Sequence, residues 1–204
     1  MIITFFKKIL SIFINSDSDI EKDKVINGKY VTMVWGQKVS QTFRNRAYWI
    51  ALDLDINIDY LMSLIAFESA ETFSAGVKNA AGSGATGLIQ FMPATAISLG
   101  TTTDALSKMT AEDQLNWVYK YLLPYKGRVK TLSDLYMAVL WPRAVGEPDN
   151  YVLFRQGTVA YLQNSGLDIN KDGLITKADA SAKVKEKLER GELYAWSGYV
   201  YPYD

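Results

Sequence analysis

One glutamate, Glu68, follows the apolar run Leu64-Ile65-Ala66-Phe67 in a chain that contains no histidine and no cysteine. Apolar neighbours disfavour the charged form of a carboxyl and raise its pKa, which suits a proton donor. The missing histidines exclude Ser-His-Asp triads, HExxH zinc sites and imidazole bases. The missing cysteines exclude disulfides, thiolate zinc sites and cysteine nucleophiles. Acid–base chemistry therefore falls to Asp, Glu, Lys or Tyr. Cleavage of a glycosidic bond begins with a protonated carboxyl that delivers its proton to the leaving oxygen. Most glycosidases add a second carboxylate, and Glu71 stands three residues on. It would share a helix flank with Glu68 instead of facing it across a scissile bond, so it reads as surface charge.

A second constellation occupies residues 168–179, DINKDGLITKAD. Asp168, Asn170 and Asp172 fall at positions 1, 3 and 5 of a twelve-residue EF-hand-like loop. Gly173 supplies the sharp turn, Leu174 the backbone carbonyl, and Thr176 and Asp179 stand at positions 9 and 12. Alternating oxygen ligands around a glycine suit calcium; the competing reading is an Asp/Asn/Gly turn that holds no ion. Position 12 is Asp where the longer Glu is usual, and no second loop pairs with this one. Calcium would thus be a structural staple, and catalysis needs no cofactor.

The elements around these residues read as helices. Ser40 is an expected N-cap for a helix carrying Phe43, Ala47, Ile50 and Ala51. Asp59 is the expected cap of the next, whose stripe of Leu61, Leu64 and Ile65 leads to Glu68. The spacing predicts a helix from about Thr86 to Leu99, with Pro93 bending or breaking it and Gly100 ending it. Thr110 with Asp113, and Thr131 with Asp134, are start signals for two more. Lys29 to Trp35 can be a short extended segment, but no stretch sustains strand alternation and no repeat is visible. The expected fold class is mainly α.

The 204 residues and 49% hydrophobic content support one compact domain or one with a small appendage. With 22 basic and 22 acidic residues there is no excess charge to neutralise phosphates, so nucleic acid is not an expected partner. Residues 16–28 read as a polar linker. Ahead of them, MIITFFKKILSIFIN is too short to span a bilayer and orders its charges wrongly for a standard signal peptide. On a helical wheel Thr4, Lys7, Lys8, Ser11 and Asn15 form one polar strip. Residues 1–15 could dock on the domain's own core, lie on a membrane surface, or act as an atypical export signal.

Glu68-Ser69, Asn79, the run from Ser83 through Gly87-Leu88-Ile89-Gln90-Phe91-Met92-Pro93, Thr95-Ala96 and Leu99-Gly100 together resemble a soluble lytic transglycosylase domain. The variant is the one found in bacteriophage endolysins and virion-associated lysins, and the resemblance extends from about Trp35 to the EF-hand-like loop. It implies a lysozyme-like helical domain over 29–165, an EF-hand-like segment over 166–192 and an aromatic tail over 193–204, after an N-terminal segment and linker over 1–28. It also implies cleavage of the MurNAc-GlcNAc β-1,4 bond in peptidoglycan strands of the bacterial cell wall. A single glutamate acts as acid and then as base toward the MurNAc C6 hydroxyl, leaving a 1,6-anhydro end. Glu68 matches that glutamate, Ser69 the serine beside it, and Gln90 the polar residue of the cleft. The family's Ala-Tyr-Asn motif is absent: the matching region is Tyr136-Met137-Ala138-Val139-Leu140-Trp141-Pro142. Tyr136 is the expected replacement, with Trp141 and Tyr151 as weaker ones. A hydrolytic muramidase on the same scaffold, or a catalytically weak peptidoglycan-binding or virion structural protein, are the alternatives.

Overall fold

A computed structural model of the chain describes residues 28–80 and 82–202. The N-terminal amphipathic segment, and with it the membrane contact expected of residues 1–15, lies outside the described residues. Among the described residues, eight α-helices are accompanied by two small antiparallel sheets, so the mainly α expectation holds.

The helix α1 (Gln41–Leu54) starts at Ser40, whose hydroxyl accepts from Phe43 N–H. It buries Phe43, Ala47, Ile50, Ala51 and Leu54, one face at helical spacing. The next helix, α2 (Ile58–Glu68), is apolar nearly all round, and Leu61 through Ala66 are all buried. Such a helix must be surrounded by other elements. It is the central helix, packing against α1, against α6 (Leu132–Leu140) and against α8 (Lys177–Gly191). Its cap is Asn57, which accepts from Asp59 N–H. Asp59, the residue the sequence favoured, instead accepts a hydrogen bond from Val34 N–H and ties α2 to the first strand's end.

No helix forms over Thr86–Met92. Thr86 and Phe91 exchange backbone hydrogen bonds at 3.1 and 2.9 Å and close a four-residue turn. Helix α3 (Pro93–Ser98) begins only at Pro93, which stands at the first helical positions. Proline lacks an N–H and fits the start of a helix, where that donor has no intrahelical acceptor. It therefore starts the helix instead of kinking a longer one. After α4 (Thr103–Ser107) comes α5 (Ala111–Leu122), capped at Thr110, with Leu115, Val118 and Leu122 buried. Thr131 and Asp134 form the reciprocal capping box of α6.

The strand β1 (Lys29–Met33) pairs with β4 (Trp196–Val200), Lys29 opposite Val200 and Met33 opposite Trp196. β2 (Val152–Arg155) pairs with β3 (Leu174–Thr176), and the short helix α7 (Val159–Asn164) lies between them in the chain. The aromatic C-terminal stretch thus closes a sheet with the start of the domain. Ile175, Ala180 and Val184 join the same hydrophobic core as Leu64, Leu115 and Leu135.

Candidate functional site

Glu68 is the last residue of α2. The chain leaves it abruptly, with Ala70, Glu71 and Phe73 all at positive φ although none is glycine. Each such residue is strained, and strain of this kind gathers at functional sites. Glu71 N–H donates to Ala66 O, and Phe73 is drawn into the core against Trp35 and Phe43. Ser69 is fully buried. Its hydroxyl donates to Ile65 O at 2.6 Å and accepts from Phe73 N–H at 3.1 Å. Ser69, the serine that the resemblance sets beside the acid, is thus occupied in holding the sharp exit of α2.

The Glu68 side chain is partly buried, and no hydrogen bond or ion pair engages its carboxyl among the described residues. Burial alone raises its pKa from 4.5 to about 8. Glu71 differs in every respect. Lys187 Nζ lies 2.5 Å from its Oε1 and Arg190 Nε 3.0 Å, and the Lys187 hydrogen bond, foremost, holds its carboxyl below the usual range. Two cations of α8 are thus spent on this one carboxylate.

Tyr136 is brought to Glu68 from α6. Its ring meets Phe67 edge-on at 5.3 Å, and its hydroxyl makes no hydrogen bond among the described residues. Burial first, and then the Glu68 charge, push its pKa upward. Tyr121 of α5 also feels Glu68: burial, Tyr125 and the Glu68 charge raise it to about 12, and its hydroxyl donates to Ala138 O. Tyr121 lines a hollow of about 50 Å³ together with Gln90, Phe91, Thr95 and Val139. Gln90 itself has φ 52°, and its amide Nε2 donates to Gly87 O at 3.1 Å.

The structure therefore brings Tyr121 of α5 and Tyr136 of α6 to the acid at the end of α2, and Tyr121 in turn shares a hollow with Gln90 of the 87–90 turn. Trp141 turns elsewhere, packing edge-on to Phe154 at 5.0 Å beside a separate concavity of about 300 Å³. Tyr151 contributes a backbone carbonyl to Lys177 N–H. Sequence reasoning missed Tyr121 and Gln114. The signal for the second was present: Gln114 falls on the stripe of Val118 and Leu122, where an unpaired polar group would be costly.

In the 168–179 loop, Asp168 is buried. Its Oδ2 accepts from Tyr161 Oη at 2.6 Å and from Gly173 N–H at 3.1 Å, and Tyr161 foremost keeps its pKa low. Its Oδ1 is buried and accepts no hydrogen bond among the described residues. Asn170 and Asp172 bond to each other, and Asp172 Oδ1 accepts from Leu174 N–H. Asp179 is turned into the capping box of α8, where its Oδ2 accepts from Thr176 N–H and hydroxyl. Among the described residues no group of three or more His, Cys, Asp or Glu side chains converges as a metal site. No protein-family model matches the chain, and no curated protein matches it.

Proposed function

We propose that this chain is a peptidoglycan lytic transglycosylase with a lysozyme-like helical fold, cutting the MurNAc-GlcNAc β-1,4 bond. The observation that carries the reading is the state of Glu68. Burial pushes its carboxyl pKa up to about 8, no partner engages it among the described residues, and its charge reaches Tyr121, which lines the Gln90 hollow. The resemblance of the Glu68-Ser69 and Gly87–Pro93 motifs supports the same conclusion.

Glu68 gives its proton to the glycosidic oxygen as the C1–O bond breaks, and positive charge develops on the MurNAc ring. The carboxylate so formed accepts the proton of the MurNAc C6 hydroxyl, whose oxygen attacks C1 and closes the 1,6-anhydro ring. Glu68 ends protonated, ready for the next bond. One carboxyl suffices because the substrate supplies its own nucleophile, which agrees with Glu71 being tied up by Lys187 and Arg190. The Gln90 amide and Tyr136 hydroxyl are the groups that hold the sugar.

Mass spectrometry of digested sacculi tests this. Anhydro-muropeptides from the wild type and none from Glu68→Gln support the proposal. Reducing-end products instead would make the protein a hydrolytic muramidase. Equal turbidity loss by wild type and Glu68→Gln on permeabilised cells would leave only a peptidoglycan-binding or virion role.

Calcium at the 168–179 loop is a second part of the reading. The buried Asp168 Oδ1, without a partner among the described residues, is an acceptor that a hard cation would satisfy. Asp168, Asn170, Asp172, the Leu174 carbonyl and Thr176 would hold it, with Asp179 contributing on leaving its capping box. The ion would supply charge neutralisation that fixes the loop, and no catalytic step passes through it.

A further inference from the structure

We propose that Gln114 is a positioning residue of the Glu68 site, a buried amide that locks the turn carrying Gln90 to the loop leaving Glu68. The inference rests on the reading of this cleft as a glycan-cleaving site and names what sets its geometry.

Gln114 lies in the first turn of α5, placed there by the Thr110 cap, and is fully buried. A buried amide is tolerated only when its donors and acceptor are satisfied, and these are satisfied by three separate backbone segments. Oε1 accepts from Leu88 N–H at 2.6 Å. Nε2 donates to Ala75 O at 3.1 Å and to Leu106 O at 2.9 Å. Ala75 belongs to the loop that leaves Glu68, Leu88 to the turn that presents Gln90, and Leu106 to α4. One side chain thus joins the loop that leaves Glu68, the turn that presents Gln90 and α4.

The turn is shaped around this amide. Gly87 has φ 88°, and a Cβ at that position would overlap the Gln114 amide. Glycine is needed there twice over, for the left-handed backbone and for the close approach. Gln90, three residues on, is held in the left-handed region without being glycine. A strained residue persists only where its surroundings over-determine it. The Leu88 anchor, the Thr86–Phe91 pair and the Gln90 to Gly87 bond do so here. Gln114 touches neither the acid nor the hollow, so it acts through Gln90.

The test combines amide hydrogen exchange with a double-mutant cycle. In the wild type the Leu88 amide should be among the slowly exchanging ones; fast exchange there overturns the clamp without any variant. Gln114→Met keeps length and removes all three bonds, while Gln114→Glu keeps the acceptor for Leu88 and loses both donors. If Gln114→Met fails to fold, Gln114→Glu carries the cycle. For folded Gln114→Met we expect faster Leu88 exchange and a kcat on soluble glycan strands lower by about ten- to a hundredfold, with KM changed much less. Combined with Gln90→Ala, it should add little to the loss that Gln90→Ala already causes. Additive losses, or a kcat per folded molecule equal to wild type, would mean that Gln114 only stabilises the fold. A wild type inactive on glycan but with a protected Leu88 amide, released in Gln114→Met, would overturn the proposed function and leave the clamp standing.

Discussion

Lys177 Nζ lies 2.5 Å from Asp134 Oδ1, and both side chains are more than nine-tenths buried. The pair joins the start of α8 to the start of α6, two residues before Tyr136. Asp134 also accepts from the N–H groups of Lys130, Thr131 and Gly146, and Lys177 donates a further bond to Glu147 O. Burial by itself would raise the Asp134 pKa; the Lys177 bond, the Gly146 and Lys130 N–H donors and the Lys177 charge outweigh it and hold the carboxyl below its usual range.

Removing one partner of a buried pair leaves the other charge uncompensated, which costs about 3–5 kcal/mol. Lys177→Met should lower the melting temperature accordingly, and urea midpoints would measure it. Because the Asp134 pKa is depressed on folding, its contribution is full above the ordinary carboxylate range and is lost as pH falls through the folded value. A Lys177→Met variant that matches the wild type at pH 7 would contradict the assignment.

Glu68 carries the opposite sign. Its folded pKa of about 8 lies above the unfolded value of 4.5, so the folded state holds more protons between them, and stability declines as pH rises through that window. Glu68→Gln should be more stable than the wild type at neutral pH, by on the order of 1–3 kcal/mol, and should lose that advantage near pH 4. Turnover of the wild type should fall as pH rises through about 8, where the acid form disappears. Activity rising through that pH would remove Glu68 as the acid.

Glu71 separates a one-carboxylate mechanism from a two-carboxylate one. Its ion pairs with Lys187 and Arg190 are partly exposed and therefore worth about 1 kcal/mol or less. Glu71→Gln should lower the melting temperature slightly and leave kcat within about a factor of ten of wild type, whereas loss of a nucleophile would cost several orders of magnitude. Steady-state kinetics on soluble glycan strands distinguishes the two.

Calcium should raise the melting temperature of the wild type, and EDTA should reverse the rise. At a calcium concentration one hundred times Kd the added stability is about 2.7 kcal/mol. Asp168→Ala should abolish the response. Identical wild-type melts in calcium and EDTA would remove the ion from the proposal.

Much of the helical framework was legible because its signals are local. Ser40, Thr110 and Thr131 each cap the helix expected of them, since a side-chain oxygen two or three residues from a free N–H needs no distant partner. The start at Asn57 in place of Asp59, and the turn in place of a helix at Thr86, were not legible. Asp59 is claimed by Val34 N–H, and Leu88 N–H by Gln114, and neither partner is near in sequence. Strand β4 was missed for the same reason: a five-residue strand is defined by its partner, which lies more than 160 residues earlier.

By itself the sequence determined the available chemistry, because residue types bound it absolutely. Without histidine or cysteine, acid–base chemistry falls to Asp, Glu, Lys or Tyr, and Glu68 stood out by its apolar neighbours as the proposed proton donor. Only the tertiary structure decided which groups accompany it. Burial by packed elements raises its pKa, the pairing with Lys187 and Arg190 takes Glu71 out of use, and the close approach of α5 and α6 brings Tyr121 and Tyr136 to it. Desolvation and charge pairing depend on distance in space, and spacing along the chain does not encode it.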